Sequence, residues 1–169
     1  PRMSLAAPLA LGVTSEAELM DIVLAKFISP HSFTAAISGQ LPHGITIGGV
    51  YNIPLTVPSL QSQVRYAEYT VEMTTAKTKN DVESAISALL EKESLPWQHQ
   101  RDTGPHHYDL RALIGDLWLI DLRSGGCTIG MRLRCDSNGS GRPEQVAIAL
   151  GFGQYPESIH RTKLILETS

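Results

Sequence analysis

The sequence is poor in cysteine and has no long apolar stretch. Its two cysteines, Cys127 and Cys135, fall at the two ends of one predicted strand. Eight residues of strand span about 26 Å, so the two thiols cannot bridge each other. Free thiols favour a reducing, cytoplasmic location. No apolar run approaches the roughly 20 residues of a membrane helix and no signal peptide pattern is present, so no membrane partner is predicted.

Excess charge of one sign is also missing. Charged residues make up 18% of the 169 residues and the net charge is -3, which argues against general polyanion binding driven by net charge. Residues 1–100 carry 6 basic and 9 acidic side chains, whereas residues 101–169 carry 8 of each. Arginine supplies most of the basic residues in the second part. This residue suits planar anionic or aromatic partners.

Motifs for catalysis and for metal binding are absent as well. No serine triad, thiol–imidazole or nucleotide-binding loop signature occurs, and no cysteine pair flanks a histidine pair in a zinc pattern. His99, His106 and His107 lie close in sequence, but neighbouring residues on a strand point to opposite faces. We therefore predict no metal and no cofactor, and favour structural or surface roles for these histidines over a metal site.

Residues 1–51 predict a β-β-α-β order. An interrupted strand runs from Met3 to Val13, a second from Leu19 to Leu24, and a third from Ile45 to Val50. Between the last two, Ser29 is a predicted N-cap with Pro30 at the first helical position. Residues 52–64 then form a proline-containing connector, the predicted boundary between two units.

Residues 65–169 predict a β-α-β-β-α-β order. Apolar and polar residues alternate over Tyr66–Met73, which indicates a strand. Thr78 and Asp81 form a predicted capping box, and the helix after it carries one apolar stripe. A glycine turn joins the next two strands, Leu117–Leu122 and Cys127–Cys135. A helix at Pro143–Leu150 and a strand at Ile159–Leu166 complete it, and Trp97–His107 is predicted to be a loop that leads into the hairpin. This order is typical of a ferredoxin-like unit. The predicted fold is α+β with two such units, the first lacking its opening strand and helix.

Several arginines of the second unit are candidate contact residues. Asp109 and Arg111 would share one face of a strand. Arg111 would then either bind an anionic ligand, with Asp109 orienting it, or form an ion pair that fixes the strand against the following helix. Arg132 and Arg134 would lie on the open side of the sheet, as RNA contacts or as a solvated face. Trp118 on the partner strand is interpreted as a core or subunit-interface residue.

A glycine-rich loop at residues 136–141 precedes a predicted helix. Its backbone donors could hold a phosphate or carboxylate beside Arg142, although a plain connector is the default interpretation. Arg161, next to His160 on the last strand, could lie near the same end. The candidate contact residues are therefore Arg111, Arg132, Arg134, Arg142 and Arg161, with Asp109 and His160 in support.

Several short motifs resemble one bacterial family. They are Pro8–Gly12, Ser15–Glu18 with Asp21, Leu41–Ile45, Ser59-Leu60, Asp109–Arg111, Arg142–Val146 and Arg161-Thr162. In this order they resemble the radical SAM-linked proteins, a family of unknown function. Members normally begin with a strand and an arginine-rich helix, so the resemblance suggests that an N-terminal portion is missing before Pro1.

The resemblance implies an accessory role beside a radical SAM enzyme, fused or separate, in RNA or ribosome modification. The chain itself lacks the three closely spaced cysteines that would hold an iron–sulfur cluster, so it is not predicted to be the radical enzyme. A binding module with a radical SAM protein and RNA as partners is the favoured hypothesis. The alternatives are an RNA-acting enzyme with a site between the two units, lined by His43, His106 or His107, and a structural homodimer.

Overall fold

A computed structural model describes residues 2–101 and 104–167. The strands are β1 Arg2–Leu5, β2 Thr14–Ser15, β3 Met20–Val23, β4 Val64–Thr74, β5 Pro96–Arg101, β6 Gly104–Asp109, β7 Ile114–Arg123, β8 Gly126–Asp136, β9 Gly139–Ser140 and β10 Ser158–Leu166. The helices are α1 Pro30–Ser38, α2 Leu60–Gln63, α3 Lys79–Leu90 and α4 Pro143–Ala149. The fold is therefore mixed α+β, as predicted.

The main sheet has the strand order β2-β10-β4-β8-β7, and the short β9 pairs with β8. Its four long strands pair antiparallel with one another, whereas the short β2 pairs in parallel with β10. From residue 64 onward the chain runs β4-α3-β7-β8-α4-β10, with the β5–β6 hairpin inserted after α3. The predicted order of strands and helices in this part of the chain is present.

Helices α3 and α4 cover one face of the main sheet. Every second residue of β4 from Ala67 to Met73 is buried, and Ile129, Met131 and Leu133 of β8 are buried on the same face. The predicted apolar stripe of α3 packs here through Val82, Ile86 and Leu89. This alternation leaves the even-numbered side chains of β4 and β8 on the opposite face, which we call the open face.

Helix α3 begins where the sequence predicts. Thr78 accepts a hydrogen bond from the Asp81 amide, and the Asp81 carboxylate accepts one from the Thr78 amide, which completes the capping box. The hydrogen bonds from Thr78 lower the pKa of Asp81. Helix α1 likewise begins after Ser29, whose hydroxyl accepts from the Ser32 amide at 3.1 Å.

Residues 2–57 differ from the predicted β-β-α-β unit. β1 and β3 pair antiparallel as expected, but β1 ends at Leu5, and β2 joins the main sheet in parallel with β10. Residues 45–50, predicted as a strand, form none. The β-branched residues of this stretch are followed by Gly48 and Gly49, and no strand edge in the described chain pairs with them, so β propensity alone does not form a ladder there. The proposed boundary at residues 52–64 stays a prediction.

The stretch 97–107, predicted as a loop, contains most of the β5–β6 hairpin. Trp97 lies opposite Tyr108, and His99 lies opposite His106. The prediction was wrong because polar side chains hide the alternation: Trp97 and Tyr108 are half-buried, whereas the histidines between them carry no apolar signal. No helix within the described ranges is long and apolar enough to cross a membrane.

Trp118 lies on the open face, where its indole ring covers Gly130. The two residues are cross-strand partners, and a Cβ atom added to Gly130 would fall 2.0 Å from Cε2 of the indole. The side chain is half-buried instead of being part of the core between sheet and helices. The core alternative for Trp118 was therefore wrong, because its apolar neighbours on β7 concealed which face it occupies. The subunit-interface alternative stays a prediction.

We predict that Gly130→Ala destabilises the fold by about 1–3 kcal/mol, because the new methyl group must displace the indole ring. Urea unfolding measures the change in the free energy of unfolding. Gly153→Ala is the matched control, since a Cβ at Gly153 meets no atom within 4 Å. Equal stability of the two variants would contradict the placement of Trp118.

Candidate anion-binding site

The loop between β8 and α4 folds back on the sheet around Asp136. One carboxylate oxygen of Asp136 accepts from Nε of Arg134 at 2.8 Å, and the other accepts from the amide of Asn138 at 2.8 Å. The returning chain forms β9, and the Gly141 amide donates to the Arg134 carbonyl at 2.8 Å. Two glycines are needed, because a Cβ at Gly139 or Gly141 would fall less than 3 Å from a neighbouring side chain.

A small pocket lies between this loop and the β5–β6 hairpin; we call it the Arg142 pocket. It measures about 110 Å³ and is lined by His99, His106, Tyr108, Leu113, Asn138, Gly139, Ser140, Arg142 and Gln145. Nη1 of Arg142 lies 3.2 Å from Nε2 of His99. The volume is suited to a single small group, well below the size of a site for a whole organic ligand.

The hairpin fixes the histidine wall of the Arg142 pocket. His99 and His106 are cross-strand partners, so their side chains share one face of the hairpin. The imidazole of His106 stacks on the ring of Tyr108, with centroids 5.6 Å apart. The Tyr108 hydroxyl in turn donates to Oε1 of the buried Gln145 on α4. This contact ties the hairpin to the helix that follows Arg142.

A second pocket, the Arg134 pocket, adjoins the first. It measures about 330 Å³ and is lined by Gln61, Ser62, Arg65, Arg134, Asp136, Ser137 and Asn138. Asn138 lines both pockets, so the tip of the loop separates them. Arg65 makes an ion pair with Glu167 at the rim. Two arginine-lined pockets therefore lie side by side at the end of β8.

The side chains of the two pockets are mainly hydrogen-bond donors. Arg142, Ser140 and Asn138 can all donate to an oxyanion, and an arginine can do so through two parallel bonds. Arg142 is half-exposed, and its nearest carboxylate, that of Glu144, is 4.0 Å away. Since Arg134 and Arg65 are paired with acidic residues, the pockets hold little net charge. An anion here would be held by short-range contacts more than by long-range attraction.

The environment of Asp136 keeps it ionised. Partial burial, the largest influence, acts to raise the pKa of this carboxyl group, but the hydrogen bonds from Arg134 and from the Asn138 amide outweigh it. The net effect is a lowered pKa. Reciprocally, the hydrogen bond to Asp136 raises the pKa of Arg134. The loop and the guanidinium thus stabilise each other through one carboxylate.

Asp109 and Arg111 do not share one strand face, contrary to the prediction, because Asp109 is the last residue of β6 and Arg111 lies beyond it. Arg111 begins a 3₁₀ turn at residues 111–113, because Asp109 accepts from the Arg111 amide at 2.9 Å and turns the chain. The guanidinium donates to the carbonyls of Leu90 and Ile114. Hydrogen bonds from the Leu95 and Arg111 amides lower the pKa of Asp109. Arg111 thus joins α3 to β7 through backbone carbonyls, and the described residues show no ion pair between Asp109 and Arg111 of the kind the structural alternative expected.

Arg132 and Arg134 lie on the open face, as predicted. Arg132 is the cross-strand partner of Glu68, and Oε1 of Glu68 accepts from its Nη2 at 2.7 Å and its Nε at 2.9 Å. Arg134 lies at the end of β8 in the Arg134 pocket. Both guanidinium groups remain partly exposed.

Arg161 is on the opposite face and is buried, with 2% of its surface exposed. Its guanidinium donates to both carboxylate oxygens of Glu18 and to the Ala7 carbonyl at 2.9 Å. Burial acts to lower its pKa, but the hydrogen bond and the charge of Glu18 raise it overall. Arg161 therefore anchors residues 7–18 to the sheet. His160 lies on the open face, where Nδ1 is 2.7 Å from the Thr14 hydroxyl.

Of the five predicted arginines, the structure brings Arg134 and Arg142 to adjoining pockets and leaves Arg111, Arg132 and Arg161 elsewhere. His99 and His106 were missed as pocket residues because the hairpin that pairs them was taken for a loop. Gly104, which lies between the two histidines in the sequence, was the available signal of a turn. No group of three or more His, Cys, Asp or Glu residues with the geometry of a metal site occurs within the described part of the chain.

These features define an α+β protein with two small polar pockets at one end of its sheet. Residues 1–143 match the family described as "Uncharacterized protein conserved in bacteria (DUF2344)". The chain belongs to this family. A search of curated proteins found no match.

The solved structures that are similar to part of the chain include a protein complex. It is titled "Crystal Structure of a Cbf5-Nop10-Gar1 Complex", with 8% identity and a TM-score of 0.43. The match covers 62% of this chain and about a third, 32%, of that one. At this TM-score the likeness carries no functional argument.

We predict that Glu18→Ala destabilises the protein more than Arg161→Met does. The first change leaves a buried guanidinium without its carboxylate, at a cost of about 2–3 kcal/mol, whereas the second leaves a carboxylate that solvent can reach. The free energies of unfolding in urea compare the two variants. The reverse ranking would contradict the described burial of Arg161.

The lowered pKa of Asp136 predicts a pH-dependent contribution to stability. A carboxyl group with a lower pKa in the folded state stabilises the fold above its unfolded pKa of about 3.9, and this contribution is lost as the pH falls through the folded value. The stability difference between the native protein and Asp136→Asn should therefore be constant near neutral pH and shrink below pH ~4. Unfolding curves across this range test it, and a difference that grows on acidification would contradict the assignment.

Proposed function

We propose that this chain is a non-catalytic RNA-binding accessory module that works with a radical SAM protein. The observation that carries the RNA part is the placement of Arg134 and Arg142 in adjoining pockets of phosphate-compatible size. Arginine recognises a phosphate through two parallel hydrogen bonds, and adjoining sites suit a ligand with repeated anionic groups. The radical SAM partner is proposed because the sequence motifs resemble those of the radical SAM-linked proteins.

We also propose a ferredoxin-like classification for the part of the chain after residue 64. Counted along the chain, its four long strands follow the order fourth, first, third, second, and both helices of the unit cover one face. This arrangement leaves the open face available beside the pockets. Fold likeness of this kind supports a binding role but does not specify one.

Exposed apolar side chains in the N-terminal region support a protein partner. Residues 2–57 expose Met3, Leu5, Leu9, Leu11, Met20, Val23, Phe27, Ile28, Ile45, Tyr51, Ile53, Leu55 and Val57, whereas the described residues from 58 onward expose three large apolar side chains. Large exposed apolar surfaces mark interaction sites. A homodimer is the competing explanation, and light scattering on the pure chain distinguishes it, because a monomer leaves this surface for another protein.

We predict that Arg142→Ala and Arg134→Ala each weaken binding of a labelled single-stranded RNA about tenfold, because each removes a charge-assisted contact to a phosphate. Fluorescence anisotropy at several salt concentrations measures this. For single strands, each lost contact should also flatten the slope of log K against log salt by about 0.7.

The matched control is Arg123→Ala, which removes an equally exposed arginine from the opposite end of the β7–β8 hairpin. It should leave affinity and slope nearly unchanged. Equal losses in all three variants would mean that the RNA senses only overall charge, and no binding by the native chain would end the RNA proposal. Cleavage of the labelled RNA during the assay would favour the enzyme alternative.

A further inference from the structure

The open face carries two aromatic rings held over glycines. Trp118 lies over Gly130, and the ring of Tyr66 lies over Gly115, where an added Cβ would be 2.9 Å from Cε1 of the tyrosine. Both aromatic side chains are half-buried, so part of each remains accessible to solvent. A glycine beneath a ring brings it close to the sheet and limits its movement. Such a ring is an ordered surface for stacking.

Two exposed carboxylates of β7 on the open face, those of Asp116 and Asp121, form no ion pair among the described residues, whereas the arginines near Trp118 are paired. Arg132 pairs with Glu68, and Arg123 lies 3.7 Å from Glu72. The strand row through Trp118 continues with Gly130, then Thr70 and His160, whose side chains can form hydrogen bonds; the His160 ring already contacts the Thr14 hydroxyl and the Glu16 carboxylate. This environment gives little attraction for a phosphate beside the ring. It suits the uncharged, planar part of a ligand.

The surface is also a poor match for a hydrophobic protein interface. Among the described residues of the four long strands, Ile120 is the one large apolar side chain that is exposed. Protein interfaces have apolar centres with few charges, whereas this face alternates charged pairs with two aromatic rings. Isolated aromatic rings among polar groups are instead typical of surfaces that stack single-stranded bases.

The position of the ring connects it to the pockets. Gly130 and Arg134 lie four residues apart on β8, so both side-chain positions are on the open face and about 13 Å apart along the strand. Arg134 lines the Arg134 pocket, and Asn138 lies between this pocket and the Arg142 pocket. An aromatic ring thus lies over β8, and the two arginine-lined pockets lie near the end of the same strand.

We propose that Trp118 stacks an unpaired base of the RNA strand whose phosphates occupy the Arg134 and Arg142 pockets. The inference rests on the proposed RNA-binding function and adds the mode of recognition: single-stranded RNA, bound through a base and its neighbouring phosphates. Stacking accepts any base, so Trp118 contributes affinity while Thr70 and His160 are placed to contact base edges.

Tryptophan fluorescence tests the stacking directly. The chain has two tryptophans, so the Trp97→Phe variant reports on Trp118 alone. Titration with an oligouridylate should quench this emission to saturation, at concentrations that match the affinity from anisotropy. In the native background, Trp118→Ala should weaken oligouridylate binding about 5- to 150-fold. Trp118→Phe should recover part of the loss.

An abasic oligonucleotide of equal length is the matched control, since it keeps the phosphates and lacks the bases. Trp118→Ala should not change its affinity, whereas Arg142→Ala should. Near-ultraviolet circular dichroism and urea unfolding verify that each variant is folded.

Two results would overturn the stacking proposal in distinguishable ways. If the oligouridylate binds with arginine dependence but neither quenches Trp118 nor responds to Trp118→Ala, stacking is wrong and the proposed function stands. If neither oligonucleotide binds the native chain, both proposals fail. Loss of binding to a protein partner in Trp118→Ala, with RNA binding unchanged, would assign the open face to that partner instead.

Discussion

Asp136 is the residue on which the geometry of the candidate site depends. Its carboxylate accepts from the side chain of Arg134 and from the backbone of Asn138 at the same time. These two bonds place the cation of one pocket and the wall shared by both. Together with the β8–β9 pairing and the hydrogen bond from the Gly141 amide to the Arg134 carbonyl, they hold a loop whose glycines and short polar side chains would otherwise permit many conformations.

The second constraint is the packing of helices α3 and α4 on a single face of the main sheet. Burial of alternate residues on β4 and β8 fills that face and frees the other for polar and aromatic side chains. A buried arginine on the helix side, Arg161, ties the N-terminal segment to the same sheet through Glu18. The core therefore lies on the helix-covered side of the sheet, and the side chains of the open face are not part of it.

Much of the fold followed from local sequence signals. The capping box at Thr78, the apolar stripe after it and the glycine turn at residues 125–126 are short-range devices, and each led to the observed element. The strand predicted at Ile45 failed because a strand requires a partner, which its own residues do not reveal. Long-range pairing likewise explains the unpredicted parallel contact between β2 and β10.

The candidate site was only partly predictable. Arg134 was singled out by strand alternation and Arg142 by the glycine-rich loop, and that loop brings these sequence neighbours together. His99 and His106 reach the same pocket through a hairpin whose alternation is polar, and Trp118 is accommodated on the open face by Gly130 on another strand. Such cross-strand relations depend on register, and register is set by the whole sheet.

The central claim is that the end of β8 is the part of this surface that meets RNA phosphates. Nuclear magnetic resonance of arginine Nε–Hε groups during titration with single-stranded RNA tests it most directly. The account predicts saturable shifts for Arg134 and Arg142 together with the Asn138 amide, while the internally bonded Arg111 and Arg161 stay unchanged. Shifts confined to Arg111 or Arg161, or unchanged spectra at saturating RNA, would contradict it.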